Sequence, residues 1–134
     1  MFRVYNIKKC KWENDIFIDA YNNIYKISKN LFDKIFLLHD KTDEYVFHKF
    51  IDLYDKNSEM VFEGDIIEAQ VANDITVTGI VTYAKEYSSY VILCYNPDEF
   101  YVLGDSICQQ IEVVGNVFDT PELLPKDIIG EYND

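Results

Sequence analysis

The sequence predicts a mainly β protein with little helix. Aromatic residues make up 16% of the 134-residue chain, with 11 Tyr and 9 Phe, and aromatic side chains favour strands. The apolar runs are short and are separated by clusters of Asn, Asp and Lys, as strands and turns are. Residues 75–83 alternate Ile or Val with Thr, the period of two that is typical of a half-buried strand.

The first half is predicted to form a β-meander of short strands joined by polar turns. Residues 35–38 are predicted to form a strand, but the stretch 29–38 could instead form one or two helical turns, because a short apolar run is compatible with both. The polar turn at residues 55–58 is the one candidate for a subdomain boundary in the sequence. We therefore expect an N-terminal subdomain at 1–58 and a second unit at 59–134, or one integrated domain. The predicted strands of the first half are residues 2–5, 16–18, 24–27, 35–38 and 45–51.

The second half is predicted to form a small barrel of the SH3-like kind over residues 60–118, on which the meander packs. Gly79 interrupts the alternating strand at 75–83, which predicts a bulge or a sharp bend. Residues 90–95 are apolar throughout and predict a central strand covered on both sides, with 99–103 as its returning partner. An open β-sandwich is the alternative, since sequence patterns do not separate the two architectures.

Two short turns stand out as structural motifs. In Glu63-Gly64-Asp65 the glycine supplies a backbone conformation that bulkier residues avoid, so the chain is expected to turn there into a strand at 66–71. In the second stretch, residues 111–117 alternate until Gly115-Asn116. That pair tolerates positive φ and is expected to form a turn or bulge.

A short C-terminal helix is predicted to follow. Thr120 is expected to cap it and Pro121 to occupy its first position, because both residue types favour those places. Pro125 would end it, and the acidic segment 126–134 is expected to fray.

Several stretches, in the same order along the chain, resemble the YopX protein family. Phe2-Arg-Val-Tyr5 resembles the family's Phe-Arg-Ala-Trp start, and 53–57 resembles its Leu-Lys-Asp-Lys-Asn turn, although Ser58 follows where the family has Gly. Residues 60–67 resemble its Ile-Tyr-Glu-Gly-Asp-Ile-Val segment, and 79–81 and 111–124 complete the match. The resemblance implies a phage or prophage protein, an SH3-type barrel in the second half and self-association. It supplies no catalytic residues.

The net charge of −12 lies entirely in the second half. Residues 1–62 hold 10 basic and 10 acidic residues, whereas residues 63–134 hold 2 basic and 14 acidic ones, so their net charge is 2 − 14 = −12. A surface this negative repels phosphates and offers few cations for counterion release. Direct binding of DNA or RNA is therefore not expected.

No motif predicts catalysis, a metal or a cofactor. Only His39 and His48 could act as imidazole ligands, and neither has a cysteine nearby, so both are expected to be ordinary surface or packing residues. The five glycines are too scattered for a phosphate-binding loop, and no Ser or Cys lies on a turn flanked by glycines. We expect a protein that is not an enzyme and binds no cofactor.

The cysteines and the hydropathy pattern predict a cytoplasmic protein. Cys10, Cys94 and Cys108 form an odd set without metal or redox spacing, so reduced, buried thiols are expected. No apolar run approaches the length of a membrane span, and no secretory segment is evident.

An aromatic surface is the candidate binding site. It comprises Tyr83, Glu86, Tyr87, Tyr90 and Tyr101, with Tyr95 nearby, and small barrels use such faces to bind peptides or bases. The alternative is that some of these tyrosines fill the barrel and the others cover it. The local negative charge favours a basic peptide or protein as the partner.

Three functions follow from these observations. The first is a non-enzymatic accessory protein that self-associates and binds a host or phage protein. The second is a DNA mimic, in which the carboxylates of residues 63–134 occupy the cationic groove of a host DNA-binding or defence protein. The third, an enzyme, would require a buried carboxylate or thiol with a shifted pKa in a cleft.

Overall fold

Twelve β-strands dominate the computed structural model, which describes residues 1–14, 16–18, 20–21, 24–27, 35–37, 44–94, 100–104 and 110–124. The protein is mainly β, as predicted. It divides into two compact units, Met1–Lys49 and Phe50–Asp134. The strands are β1 (Phe2–Asn6), β2 (Lys11–Glu13), β3 (Ile16–Ile18), β4 (Ile24–Ile27), β5 (Ile35–Leu37), β6 (Tyr45–Tyr54), β7 (Met60–Phe62), β8 (Asp65–Ala72), β9 (Ile75–Ala84), β10 (Ser89–Cys94), β11 (Phe100–Val102) and β12 (Ile111–Asn116).

The first unit consists of short antiparallel strands. β1 pairs with β2 on one side and with the first half of β6 on the other, and β3, β4 and β5 form a separate three-stranded meander. β2 is not predicted from the sequence, because Lys11–Glu13 is only three residues long and two of them are charged. Within the stretch 29–38, residues 35–37 form a strand, and the others lie outside the described residues.

β6 belongs to both units. Its residues 45–49 pair with β1, and in the second unit Phe50 pairs with Phe62 and Tyr54 with Met60 of β7. The boundary between the two compact units therefore falls within β6, between residues 49 and 50. The sequence predicts a boundary at the polar turn 55–58; in the structure Lys56 of this turn donates its N–H to the carbonyl of Ile111 in β12 at 3.0 Å.

The second unit contains a curled, half-barrel sheet of five antiparallel strands in the order β11-β10-β9-β8-β12. β10 lies between β9 and β11, in the central position that its apolar sequence predicts. Within the described residues no ladder joins β11 to β12, so closure into an SH3-like barrel stays a prediction.

Both faces of this sheet are covered at its centre. The main core lies on one face, and a second cluster of Ile66, Ile80, Val117 and Leu124 covers part of the other. This second cluster explains why Ile80 interrupts the threonine face of β9: its side chain is fully buried. The main core comprises Ile51, Val61, Ile67, Ala69, Val77, Val81, Ile92, Cys94, Leu103 and Ile111.

The predicted bulge at Gly79 is wrong. Gly79 pairs in continuous register with Ile67 of β8 and Cys94 of β10. A Cβ atom at this position would lie 2.6 Å from Cγ2 of Ile92 and 2.5 Å from the carbonyl oxygen of Leu93. Glycine is therefore required by the close approach of β10, which is a tertiary constraint.

The predicted C-terminal helix is a single 3-10 turn, Pro121–Leu123, within the described residues. Pro121 lies at its start, as expected, but the Thr120 side chain does not cap it. Instead, the Thr120 hydroxyl accepts a hydrogen bond from the backbone N–H of Asn116 at 3.0 Å. Pro125 and the segment 126–134 lie outside the described residues.

Candidate functional site

Tyr83 of β9 and Tyr90 of β10 form an aromatic pair. The two residues are direct cross-strand partners, so their side chains share a face of the sheet. Their ring centroids lie 5.2 Å apart with the planes inclined at 65°, in an edge-to-face arrangement. Tyr83 is 46% exposed, whereas Tyr90 is half-buried and packs against the main core. One ring is therefore anchored and the other faces solvent.

Two carboxylates act on the Tyr90 member of this pair. Burial raises the pKa of the Tyr90 phenol above its usual 10.0, and the charges of Glu63, Tyr83 and Asp52 raise it further. The carboxylates favour the neutral phenol because a phenolate would add a second negative charge beside them. Glu63 and Asp52 therefore lie near enough to Tyr90 to oppose its ionisation.

Asp52 is presented by an irregularity in β6. The ladder between β6 and β7 shifts register between Phe50 and Tyr54, and Asp52 within this bulge has φ 63°. Positive φ is uncommon for a residue other than glycine, and aspartate and asparagine tolerate it best. Asp52 is exposed, so the bulge directs a carboxylate to the surface of the second unit.

The predicted aromatic surface divides into two parts. Tyr101 pairs with Ile92 and packs against the main core, on the same face as Tyr83 and Tyr90. Tyr87 instead contacts Phe100, with centroids 4.9 Å apart, and Phe100 lies on the opposite face because neighbouring side chains alternate. Of the remaining predicted residues, Glu86 is exposed in the turn between β9 and β10, and Tyr95 lies outside the described residues.

The Glu63-Gly64-Asp65 turn adopts the geometry that its glycine predicts. Gly64 has φ 81° and is buried. Its N–H donates to the carbonyl of Val81 at 2.9 Å, and Oδ2 of Asp65 accepts from the N–H of Phe62 at 2.8 Å. The turn holds β7, β8 and β9 together and places Glu63 on the chain segment between β7 and β8.

A carboxylate that sequence analysis did not single out joins the polar turn 55–58 to the sheet. Asp55 is buried, and its Oδ1 accepts N–H bonds from Asn57 and Glu59, both at 2.9 Å. Its Oδ2 accepts from the N–H of Val113 in β12, also at 2.9 Å. An aspartate at the start of a turn is a known signal for such bonds, but the bond to β12 depends on the fold.

In the first unit, His48 is a packing residue, as predicted. It is only 2% exposed, and its ring lies 6.0 Å from the ring of Trp12 in an edge-to-face arrangement. Nη2 of Arg3 lies 3.4 Å from Nδ1 of His48, and the Arg3 guanidinium stands 4.6 Å above the Trp12 ring. Burial, and secondarily the Arg3 charge, lower the pKa of His48 from 6.5 to about 4.

The described part of the chain shows no group of three His, Cys, Asp or Glu residues that could hold a metal ion. His39 lies outside it. Cys94 is buried in the main core as predicted, but Cys10 is exposed, which corrects the expectation of a buried thiol. The reason is that Cys10 lies in the turn between β1 and β2, with φ 53°. Cys108 also lies outside the described residues.

The sequence pattern of the YopX protein family matches residues 1–125. The chain belongs to the YopX family. Among solved structures, YopX from Bacillus subtilis is 14% identical and has a TM-score of 0.62, with 92% of this chain and 97% of that chain covered. The protein EF1440 from Enterococcus faecalis is 20% identical with a TM-score of 0.55, over 92% of this chain and 96% of that one. At these identities the likeness shows the fold. No curated protein matches the chain.

The most specific YopX-like stretch, 111–124, is organised by Gly115 and Asn116. The ladder shifts between Val113 and Gly115, which is the predicted bulge. A Cβ atom on Gly115 would overlap the Thr120 side chain, so close packing requires glycine here. The Asn116 side-chain oxygen accepts the N–H bonds of Phe118 at 3.0 Å and Asp119 at 2.9 Å.

Ser58 shows how the chain accommodates its departure from the YopX family pattern. It stands where the family has a turn glycine, and it adopts φ 63°. This is a left-handed conformation, which glycine adopts more readily than serine. Among the described residues, no helix is long and apolar enough to cross a bilayer.

Proposed function

We propose that this YopX-family chain is a non-enzymatic phage or prophage accessory protein that self-associates and binds a host or phage protein in the bacterial cytoplasm. The observation that carries the binding proposal is the Tyr83–Tyr90 pair, in which the Tyr90 ring is anchored by the core and the Tyr83 ring is 46% exposed. Tyrosine is one of the residue types enriched at protein interfaces and at their hot spots. An SH3-like closure of the second unit would add rigidity to this surface.

Affinity capture with a matched pair of variants tests the binding proposal. Tyr83→Ser removes the exposed ring of the pair, and Tyr87→Ser removes a ring of similar exposure, 56%, on the other face. We expect a protein captured from infected host cytosol by the wild-type chain to be lost with Tyr83→Ser and kept with Tyr87→Ser. Equal capture by all three proteins would contradict the proposal.

Self-association is supported by the exposed apolar side chains of β11. Phe100 is 41% exposed and Val102 49%, and both project from the same face of a strand at the end of the sheet. Such strands invite pairing with another chain. Light scattering at micromolar concentration is expected to return a mass above 15.8 kDa, and Phe100→Ser is expected to reduce it. A wild-type monomer at that concentration would refute self-association.

The alternative function is DNA mimicry. Besides the net charge of residues 63–134, Glu68 and Glu112 are direct cross-strand partners on β8 and β12, and like charges in that position repel. Lys56 forms a 3.2 Å ion pair with Glu112 that partly offsets this repulsion. Mimicry predicts that the captured partner is a nuclease or another DNA-binding protein, that DNA competes for it, and that raised salt weakens it steeply.

A further inference from the structure

We propose that the corner formed by Tyr83, Tyr90, Asp52 and Glu63 binds the guanidinium group of an arginine on the partner protein. This inference rests on the proposed binding function and names the chemistry of the partner at that surface. The four residues come from β6, the β7–β8 turn, β9 and β10, all in the second unit. Their combination of ring and carboxylate is complementary to a cation.

The rings supply a stacking surface. Because Tyr83 and Tyr90 meet at 65°, they form two walls of a corner and do not cover one another face to face. Tyr90 is held by the main core, and the exposed Tyr83 ring can accept a planar group on its face. The chain already uses this chemistry in its first unit, where the Arg3 guanidinium lies 4.6 Å above the Trp12 ring.

The carboxylates determine that the ligand carries a positive charge. The hydrogen bond from the Gly64 N–H to the carbonyl of Val81 holds the turn that carries Glu63 beside β9, two residues from Tyr83. Asp52 lies where β6 pairs with β7, the strand that leads into this turn. Carboxylates in these positions repel an anionic ligand and attract a cation. Arginine suits the site better than lysine because its planar guanidinium stacks on a ring while its fork of N–H donors reaches a carboxylate. A compact ammonium group can satisfy only one of these contacts well.

The backbone at Asp52 indicates that the carboxylate is placed there at a conformational cost. A φ of 63° inside a strand is unfavourable for most side chains, and glycine would adopt it more easily. Asn tolerates the same conformation as Asp. Asp52→Asn is therefore a variant that removes the charge and keeps the bulge.

A titration followed by NMR tests the proposal with defined peptides. The probe is the capped tripeptide acetyl-Gly-Arg-Gly-amide, and the comparison peptides carry citrulline or lysine in place of arginine. Citrulline keeps the planar shape of arginine but is neutral. We expect the arginine peptide to shift the resonances of Tyr83 and Tyr90 with a millimolar Kd, the lysine peptide to bind at least threefold more weakly, and citrulline at least tenfold more weakly.

Variants distinguish the contribution of the tyrosine rings to arginine binding from that of the carboxylates. The double variant Asp52→Asn, Glu63→Gln is expected to weaken arginine binding at least fivefold, and Tyr83→Ser to a similar extent. Tyr83→Phe, which keeps the ring, is expected to stay within twofold of the wild type, and so is Tyr87→Ser on the other face. The amide spectrum of each variant shows that it is folded.

Several results would overturn the proposal. Equal binding of the arginine and citrulline peptides, equal binding of arginine and lysine, or shifts that map around Tyr87 would each do so. If these occur while Tyr83→Ser still abolishes capture of the cytosolic partner, the binding function stands and only the arginine specificity is wrong. If the capture is also unaffected by Tyr83→Ser, the proposed function fails as well.

Discussion

Acidification is expected to destabilise the first unit through His48. The pKa of this side chain is about 4 in the folded protein and 6.5 when exposed, because burial and the Arg3 charge oppose its protonation. Between pH 6.5 and about pH 4 the unfolded chain binds a proton that the folded chain does not. The stabilisation is therefore fully present above pH 6.5 and is lost progressively as the pH is lowered towards 4. Each pKa unit corresponds to about 1.36 kcal/mol, so the full loss is about 3 kcal/mol and the loss at pH 5 about 2 kcal/mol.

The assay is urea unfolding at pH 7.5 and pH 5, followed by tryptophan fluorescence. Trp12 is the only tryptophan and lies beside His48, so the signal reports on the first unit. His48→Gln keeps an acceptor for Arg3 but does not titrate, and carboxylate titrations common to both proteins cancel in the comparison. The free energy of unfolding of the wild type is expected to fall by about 2 kcal/mol more than that of the variant.

An equal loss of stability in the two proteins would refute this reasoning. A direct measurement is the NMR titration of the His48 ring protons, which is expected to show a pKa near 4. A midpoint near the ordinary value of 6.5 would show that the ring is not buried as the structure has it.

Three further predictions concern the second unit, and urea unfolding measures each. Asp55→Ala removes the acceptor of three backbone N–H bonds and is expected to lower the free energy of unfolding by about 3 kcal/mol. Lys56→Ala breaks a half-exposed ion pair and should lower it by less than about 1 kcal/mol. Similar losses in the two variants would contradict the role of Asp55. Ser58→Gly relieves φ 63° and should stabilise by about 0.5–1 kcal/mol, so a destabilised variant would count against that turn geometry. Gly79→Ala should lower the free energy of unfolding by about 2–3 kcal/mol because β10 must move to make room for the Cβ atom. Gly104→Ala has open space around the added atom and should leave the free energy of unfolding nearly unchanged. Equal losses in the two variants would disprove the close approach of β10 to Gly79.

The functional proposals make the exposed face of the second unit the part of the molecule to test first. Its acidic character is a property of the sequence, since residues 63–134 carry only two basic residues. The arginine-binding corner adds a specific chemical requirement to that general attraction. A partner recognised through charge alone would tolerate lysine in place of arginine, whereas the corner would not.

Most strands could be predicted from the sequence because strand formation here follows local patterns. Residues 16–18 and 24–27 were delimited by their polar neighbours, and the apolar run at 90–95 predicted a central strand. Gly64 was predicted to have positive φ because few other residues adopt it. The ordered family motifs were sufficient to identify the YopX family.

What the sequence could not determine is which residues meet across strands. Tyr83, Tyr87 and Tyr90 are close in sequence and look equivalent, yet register places Tyr83 against Tyr90 and sends Tyr87 to Phe100 on the other face. Composition and local periodicity by themselves determined a β protein with an acidic second half, because these properties depend on residues near one another in the chain. The tertiary structure decided the aromatic corner and its carboxylates, because pairing between distant strands sets which side chains share a surface.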